Sequence, residues 1–243
     1  MSRSSVSDDR LLKPRAESLV SPSAPQMLTL PERIPGVQRV VDALGVSEFR
    51  RRLLHMLPGL LPGCLWFIPH NDPWGVLLIG ASILLALTIS TVAIVREREF
   101  VRENESHWYQ AVIGYMAPVM LLLLFLPGRS ELGLMTLGIL AFGDGSATLG
   151  GTLLGGRRLP WNRRKTWAGL FCFVVFGSIV AAFNYWIEAR PAVPVGTVAC
   201  IAIVATLMAA IVESLPIRSH DNLRVGTAAA ATCVIMQGLL LGW

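Results

Sequence analysis

The stretch LGLMTLGILAFGDGSATLGGTLL, residues 132–154, decides the fold, since it is apolar over nearly its whole length yet contains Asp144. An apolar run of about 18 or more residues is long enough to cross a bilayer. A carboxylate in or beside such a low-dielectric region needs a metal ion, a cation or a proton as partner. The stretch therefore predicts a membrane span whose acid is either functional or the cap of a broken helix.

Apolar runs of similar length precede and follow this stretch. The chain has 243 residues, 53% of them hydrophobic and 15% charged, with a mean hydropathy of +0.56. These values predict an all-α fold, a polytopic membrane bundle of about seven transmembrane helices. The predicted spans are residues 53–70, 74–95, 109–127, 132–154, 166–187, 192–212 and 223–243.

The N-terminal region differs from the rest in composition. Residues 1–49 form a polar tail, rich in Ser and Pro over the first 35 or so, which predicts disorder. Within it, residues 37–49 place Val and Leu at helical spacing. That spacing indicates either a short amphipathic helix on the membrane surface or an ordinary solvated linker. Residues 50–243 are predicted to form a single transmembrane catalytic domain.

The positive charges are distributed unevenly over the predicted loops. The net charge is +5 and the pI about 9.4, but thirteen cations fall on one side of the predicted membrane and only Arg129 and Arg190 on the other. The positive-inside rule then places the N-terminus and the basic loops in the cytoplasm and the C-terminus outside. This distribution predicts an integral protein of the cytoplasmic or inner membrane, with no nucleic-acid partner.

A basic loop follows the Asp144 span. Arg163, Arg164 and Lys165 stand directly before Thr166 and the next apolar run. Guanidinium groups bind phosphate in a fork, and an ammonium acts as a point charge. A helix capped by Thr166 would also present an anion-binding N-terminus. The loop therefore indicates a polyphosphate site, although topology alone also makes cytoplasmic loops basic.

Two further polar groups fall on the same predicted membrane face. Glu213 ends one span, and Asp221 with Asn222 begins the last, which suggests metal or hydroxyl contacts or simple helix caps. Arg52 and His55 stand at the start of the first span. A histidine there is a proton acceptor, a phosphate contact or a satisfied interfacial residue. This convergence on one face favours an enzyme over a transporter, whose polar residues would lie near the midplane.

Four short motifs, taken in order, resemble the dolichol kinase and phytol kinase family of membrane lipid-alcohol kinases, several of which use CTP. Phe142-Gly143-Asp144-Gly145 with Gly150 is similar to the family's Gly-Asp motif. Leu159-Pro160-Trp161-Asn162, followed by Arg164-Lys165-Thr166-Trp167-Ala168-Gly169, is similar to its proline-asparagine turn and its Lys-(Ser/Thr)-x-x-Gly motif. Val212-Glu213-Ser214-Leu215-Pro216 with Asp221-Asn222-Leu223 is similar to its final loop. Arg51-Arg52-x-x-His55 is similar to the entry to its first span. The related CDP-diacylglycerol synthases share the aspartate, but their closing His-Gly-Gly and Asp-Arg-x-Asp signature is missing here.

The resemblance implies a kinase that transfers the terminal phosphoryl group of a nucleoside triphosphate, with CTP the expected donor, to the hydroxyl of a lipid alcohol. The acceptor is a polyprenol, a phytol-like alcohol or a diacylglycerol. The alternatives are a phosphatidate cytidylyltransferase, a membrane transporter and a non-catalytic scaffold. The oligomeric state is not assigned.

The expected site combines the residues above. Mg²⁺ on the acids would bridge the donor phosphates while the cations neutralise charge. The predicted catalytic residues are Asp144, Lys165, Glu213, Asp221 and His55; the nucleotide- and phosphate-binding residues are Gly143, Gly145, Asn162, Arg163, Arg164, Lys165, Thr166, Asn222 and Arg52; and the Mg²⁺ ligands are Asp144 and Asp221.

Overall fold

The computed structural model describes residues 35–67, seven positions between 77 and 92, and residues 108–217 and 221–242. The regular elements of these residues are helices, apart from one isolated bridge between Arg158 and Thr166. The all-α class is therefore confirmed. The helices are α1 (Pro35–Leu44), α2 (Val46–Met56), α3 (Leu61–Leu65), α4 (Trp108–Phe125), α5 (Ser130–Leu154), α6 (Trp167–Glu188), α7 (Val195–Ser214) and α8 (Asp221–Leu241), with 3₁₀ turns at Leu57–Leu60 and Pro127–Arg129.

Four helices of the described region are long and apolar enough to cross a membrane: Pro127–Leu154, Trp167–Glu188, Val195–Ser214 and Asp221–Leu241. They correspond to the last four predicted spans. Within α4, the apolar part Ile113–Phe125 is shorter. The predicted span 74–95 falls largely outside the described residues. The chain thus has the helices of a membrane protein, but the predicted number of about seven spans is not confirmed.

The predicted first span, residues 53–70, is not one continuous helix over its described part, 53–67. The repeated Leu-Pro-Gly of residues 57–59 and 61–63 interrupts it. Proline lacks the backbone donor that a helix interior requires and clashes with the preceding turn. The chain therefore leaves α2 at Met56, makes the 3₁₀ turn Leu57–Leu60 and resumes as the short α3.

Helix α5 is the centre of the bundle. In its most apolar stretch of 18 residues, 72% is buried, whereas the corresponding buried share is 28–39% in the other three candidate spans. The helices α4, α8, α7 and α6 surround it, each contacting the next in that order. The segment from α1 to α3 also packs on α5, and within it His55 contacts Tyr115 of α4 and Gly63 lies beside Phe183 of α6. This N-terminal segment therefore lies beside α5, between α4 and α6.

Glycines allow α5 to approach its neighbours closely. A Cβ built on Gly143 would stand 2.5 Å from the Cζ atom of Phe173 on α6, and one on Gly145 would stand 2.5 Å from the Cγ atom of Met56 on α2. Small residues bring membrane helices together because packing, and not water exclusion, drives their association. The glycines near Asp144 therefore bring α5 close to α2 and α6.

Polar contacts also join the helices at the end of the bundle away from Lys165. Ser130 donates a 2.6 Å hydrogen bond to Glu188, and Tyr185 donates one of 2.5 Å to Gln237. Deeper in the bundle, Asn184 donates to the carbonyl oxygen of Gly59. These contacts connect α5, α6, α8 and the broken N-terminal segment.

Candidate functional site

Asp144 lies within an uninterrupted helix. Helix α5 continues from Ser130 to Leu154, so the alternative that Asp144 caps a broken helix is wrong. Ten residues separate Asp144 from the end of α5, about 15 Å at 1.5 Å per residue. The carboxylate forms an ion pair with Arg52 of α2, and its side chain is 30% exposed. A partly accessible acid is therefore held well inside the helix, next to a guanidinium group.

Glu48 holds two of the three arginines of α2. Arg51 donates two hydrogen bonds of 2.8 Å to it, and Arg52 donates one of 3.0 Å. Burial tends to raise the pKa of Glu48, but the hydrogen bonds and charges of the arginines outweigh burial and hold it below its usual value. Arg52 thus bridges Glu48 and Asp144, and α2 presents a fixed guanidinium group to the acid of α5.

His55 lies one turn beyond Arg52. Its ring packs edge-on against Tyr115 of α4, with ring centroids 4.6 Å apart, and the Tyr115 hydroxyl donates to its backbone carbonyl. The buried Nε2 atom of the ring has no hydrogen-bond partner among the described residues. Burial lowers the pKa of His55, so at neutral pH the ring is neutral and Nε2 is an available proton acceptor.

The basic loop folds into a tight turn. Backbone hydrogen bonds join Leu159 to Lys165 at 2.9 Å and Lys165 to Asn162 at 3.0 Å. The turn ends at Thr166, whose hydroxyl accepts from the amide of Gly169, as the sequence predicts for a cap of α6. Lys165 is therefore fixed by the turn on one side and by the start of α6 on the other.

This turn is docked on the end of α7. The ammonium group of Lys165 pairs with the Glu213 carboxylate and donates a 2.7 Å hydrogen bond to the Glu213 carbonyl. Asn162 donates to the carbonyl of Ser214 at 3.0 Å, and the indole of Trp161 donates to the Ser214 hydroxyl at 3.1 Å. Side chains of three residues of the turn thus converge on two adjacent residues of α7.

Electrostatic interactions connect Asp144 and its partners on α2 with the basic turn and the end of α7. Asp144 interacts with Arg52 and His55 on α2 and also with Lys165 in the turn. Glu213 interacts with Lys165, Asp144 and Asp221. Groups from α2, α5, α7, the turn and the start of α8 therefore lie within reach of one another. An anion with several charged oxygens can bridge such an arrangement.

Other predicted site residues lie at its edge or in helix packing. Arg163 and Arg164 are exposed, and the Asn162 side chain accepts from the amide of Arg164. Asp221 is 63% exposed and pairs with Arg224, while Asn222 stands beside it at the start of α8. Gly143 and Gly145 face Phe173 and Met56, a position that favours a packing role over phosphate contact.

The carboxylates of the site are distributed singly. Within the described residues there is no group of three or more His, Cys, Asp or Glu side chains that could hold a metal ion. Asp144 pairs with Arg52 and Glu213 with Lys165. Mg²⁺ commonly takes one or two carboxylates and completes its shell with substrate phosphates and water. This donor set fits an ion that arrives with a nucleotide.

Three residues that position this site, Glu48, Tyr115 and Ser214, were not predicted from the sequence. Glu48 was detectable, because acids three and four residues before cations on a helix face them. Tyr115 could not be predicted from a local sequence pattern, because it is 60 positions away from His55, the histidine that it contacts. Ser214 accepts hydrogen bonds from the side chains of both Trp161 and Asn162. The order of the motifs along the chain does not indicate this contact.

The chain is similar to plant phytol kinases. It is 26% identical to "Phytol kinase 1, chloroplastic" of Arabidopsis thaliana over 217 residues, 79% of this chain and 67% of that protein. "Probable phytol kinase 1, chloroplastic" of Glycine max is 28% identical over 203 residues, 74% of this chain and 64% of that protein. "Probable phytol kinase 1, chloroplastic" of Oryza sativa subsp. japonica is 24% identical over 212 residues, 79% of this chain and 65% of that protein.

These alignments confirm the phytol kinase part of the predicted resemblance; relationships to dolichol kinases and CDP-diacylglycerol synthases are not shown. The chain spans about two thirds of the length of the curated relatives that it matches. No protein-family model matches the chain, and no solved structure matches it significantly.

Proposed function

We propose that this chain is an integral-membrane kinase that phosphorylates the hydroxyl of a lipid alcohol, with a nucleoside triphosphate as donor. The observation that carries this proposal is that Asp144 pairs with Arg52 inside a membrane bundle, while Lys165 of the basic turn is near enough for its charge to act on Asp144. The similarity to phytol kinases supports the reaction and favours a long isoprenoid alcohol as acceptor. CTP is the donor that we propose, as the motif resemblance implies.

The cations of the site provide the phosphate contacts. Arg52 and Lys165 are paired with acids and oriented by them, so little reorganisation is needed when phosphate oxygens approach. Arg163 and Arg164 are exposed on the turn and extend the positive surface outward. Thr166 caps the N-terminus of α6, an end that favours an anion, and the buried Asn162 supports the turn through its hydrogen bond to Ser214. Such positioning and charge neutralisation are the main contributions of a protein to phosphoryl transfer.

Asp144 is the residue that we propose to hold Mg²⁺, since it is partly accessible, pairs with Arg52 and is influenced by the charge of Lys165. When bound with the nucleotide, the ion neutralises charge on the donor phosphates. Asp221 is exposed and paired with Arg224, so we place it outside the first set of ligands. Asn222 remains a candidate contact for the nucleotide.

Among the predicted proton acceptors, His55 fits the role best. Its Nε2 is buried, neutral at physiological pH and without a partner among the described residues, whereas Glu213 is engaged by Lys165 and Asp221 by Arg224. In the proposed step, the alcohol oxygen attacks the terminal phosphorus while its proton passes to Nε2. The bond between that phosphorus and the bridging oxygen breaks, and the nucleoside diphosphate leaves.

The depth of the site suits an acceptor that stays in the bilayer. Asp144 lies about 15 Å along α5 from the end of that helix, within the span. A lipid alcohol therefore presents its hydroxyl near Asp144 without withdrawing its tail from the bilayer. The nucleotide enters from the side of the basic turn, which we propose faces the compartment that also holds the N-terminus.

Transfer of label to lipid tests the proposal directly. The purified chain in detergent or liposomes is incubated with γ-labelled or α-labelled CTP and ATP, together with phytol-like alcohols, polyprenols, diacylglycerol and phosphatidic acid. The kinase predicts γ-label in an alcohol product. Transfer of α-label to phosphatidic acid would establish the cytidylyltransferase instead, and no transfer from any donor would contradict both enzymes.

A further inference from the structure

We propose that Trp161 and Trp167 form the binding site for the base of the donor nucleotide, and that the base stacks on the open indole surface of Trp161. This inference rests on the proposed function, because it assigns a further part of the same donor site. Planar heterocycles stack on aromatic side chains with little dependence on base identity. The site therefore selects a nucleotide over a bare polyphosphate.

The two indoles form an exposed aromatic surface. Their centroids are 5.6 Å apart and their planes meet at 81°, so the edge of one ring meets the face of the other. Trp161 is 45% exposed and Trp167 46% exposed. An edge-to-face pair leaves ring surface uncovered on the outer side. A planar ligand can occupy that surface without displacing either indole.

Trp161 is held in a fixed position. Its indole nitrogen donates to the Ser214 hydroxyl at 3.1 Å, and that hydroxyl in turn donates to the carbonyl of Ile211 at 2.7 Å. The neighbouring Asn162 is buried and bonded to the Ser214 backbone. An aromatic side chain fixed before the ligand arrives loses little conformational entropy on binding.

The position of the indoles relative to the phosphate-binding cation fits one nucleotide. Trp161 and Lys165 belong to the same turn and contact the adjacent residues Ser214 and Glu213. The Thr166 hydroxyl lies beside Gly151 of α5, seven residues or about 10 Å along that helix from Asp144. Phosphates that extend inward from Lys165 toward Asp144 therefore leave the base on the outer, tryptophan side of the turn.

The alternative is that both tryptophans anchor the protein at the membrane interface, where this residue is common. Such an anchor uses its indole N–H toward lipid headgroups or water, but that of Trp161 is directed to Ser214. Exposed arginines also flank it at positions 163 and 164. Positive charge beside an aromatic surface fits a nucleotide better than the acyl chains of lipids.

Equilibrium binding to the full chain in detergent tests the inference. The ligands are CTP and inorganic tripolyphosphate, which has the same phosphates but no base. We expect Trp161→Ala to weaken CTP binding about tenfold and to leave tripolyphosphate binding unchanged, because only the stacking contact is lost. Trp161→Phe keeps an aromatic face and is expected to retain most of the CTP affinity. Ser214→Ala removes the hydrogen bond that fixes Trp161 but keeps the ring, so we expect it to weaken CTP binding less than Trp161→Ala does.

The two ligands separate failure of this inference from failure of the proposed function. If the unaltered chain binds neither CTP nor tripolyphosphate, the donor site itself is wrong. If it binds both and Trp161→Ala binds CTP as tightly as the unaltered chain, the stacking site is overturned. Equal weakening of both ligands by Trp161→Ala would also overturn it, because the tryptophan would then only support the turn.

Discussion

At the scale of single residues, the three central charges of the proposed site, Asp144, Arg52 and Lys165, each have a partner of opposite sign. Arg52 lies between Glu48 and Asp144, and Lys165 lies on Glu213. A buried charge without a partner is costly, so these pairs let a charged site form next to the bilayer interior. An incoming triphosphate exchanges one set of acidic oxygens for another and leaves the cations in place.

Two separate variants, Asp144→Asn and Lys165→Ala, test the acid of α5 and the lysine of the basic turn. Each variant is expected to lower γ-phosphoryl transfer at least about a hundredfold, because each removes charge that opposes the phosphates in the transition state. Membrane insertion should be unchanged. Asp42→Asn is the control for the first variant, since Asp42 only accepts a hydrogen bond from Gln38 on the exposed side of α1. Full activity of either site variant would contradict the assignment.

The proton acceptor can be identified from the pH profile. His55 faces Asp144 on α5, Tyr115 on α4, and Arg51 and Arg52 on its own helix. Because burial lowers its pKa, activity should be constant at neutral pH and fall as the pH drops below about 6.5, when Nε2 becomes protonated.

We expect His55→Gln to lower kcat about a hundredfold and to abolish this acid limb. Tyr115→Phe keeps the ring contact and loses only the hydroxyl, so its profile should resemble that of the unaltered chain. An unchanged acid limb in His55→Gln would transfer the role to Glu213 or Asp221.

At the scale of elements, close packing of α5 places Asp144 against both α2 and α6. Gly143 and Gly145 remove side chains where α6 and α2 approach, and the Pro58 and Pro62 breaks bend the N-terminal segment along α5. The same break positions the Gly59 carbonyl to accept from Asn184 of α6. The glycines and prolines around the motif therefore determine which helices meet at the acid.

Gly143→Ala tests the packing role. The new methyl group would meet the ring of Phe173, which is fully buried, so we expect a loss of about 1–3 kcal/mol in unfolding free energy and a lower thermal midpoint in detergent. Combining it with Phe173→Leu should recover part of this loss, as expected for neighbouring residues. Gly196→Ala, with no neighbouring atom within 4 Å, is the control. A normal midpoint with weakened nucleotide binding would instead support a phosphate-contact role for Gly143.

At the scale of the whole molecule, the basic turn lies at one end of the bundle, and Asp144 lies about 15 Å along α5 from that end. The turn between α5 and α6 meets the end of α7 there, while Arg129 and Arg190 lie at the loops between α4 and α5 and between α6 and α7. A nucleotide from an aqueous compartment and a lipid from the bilayer can both reach an acid at that depth. The arrangement separates the entry routes of the two substrates.

Labelling from each side of the membrane tests this arrangement. Single cysteines at Gln38, Arg163 and Gly128 are introduced into a chain whose four native cysteines are replaced. Gln38→Cys and Arg163→Cys should react with an impermeant thiol reagent from the same side, and Gly128→Cys from the other. All three positions are exposed. Labelling of Gln38→Cys and Arg163→Cys from opposite sides would contradict a shared compartment for the N-terminus and the basic turn.

The sequence by itself determined the helical class, the last four spans and the identity of the main charged residues. Length and hydropathy suffice for this, because a bilayer requires about 20 apolar residues per helix and makes each acid or cation within such a run conspicuous. Local spacing also placed Thr166 at the start of α6, where its hydroxyl caps the helix. Similarity to phytol kinases followed from the order of the motifs.

Only the tertiary structure decided which charges meet. The pairs Arg52 with Asp144 and Lys165 with Glu213 join residues 92 and 48 positions apart, and no local pattern encodes such distances. The predicted first span, residues 53–70, is interrupted in its described part for a related reason. Hydropathy does not reflect that Pro58 and Pro62 lack the backbone N–H donors that a continuous helix needs. Whether a glycine faces a phosphate or a neighbouring ring likewise depends on how α5 is rotated against α2 and α6, which packing of the whole bundle determines.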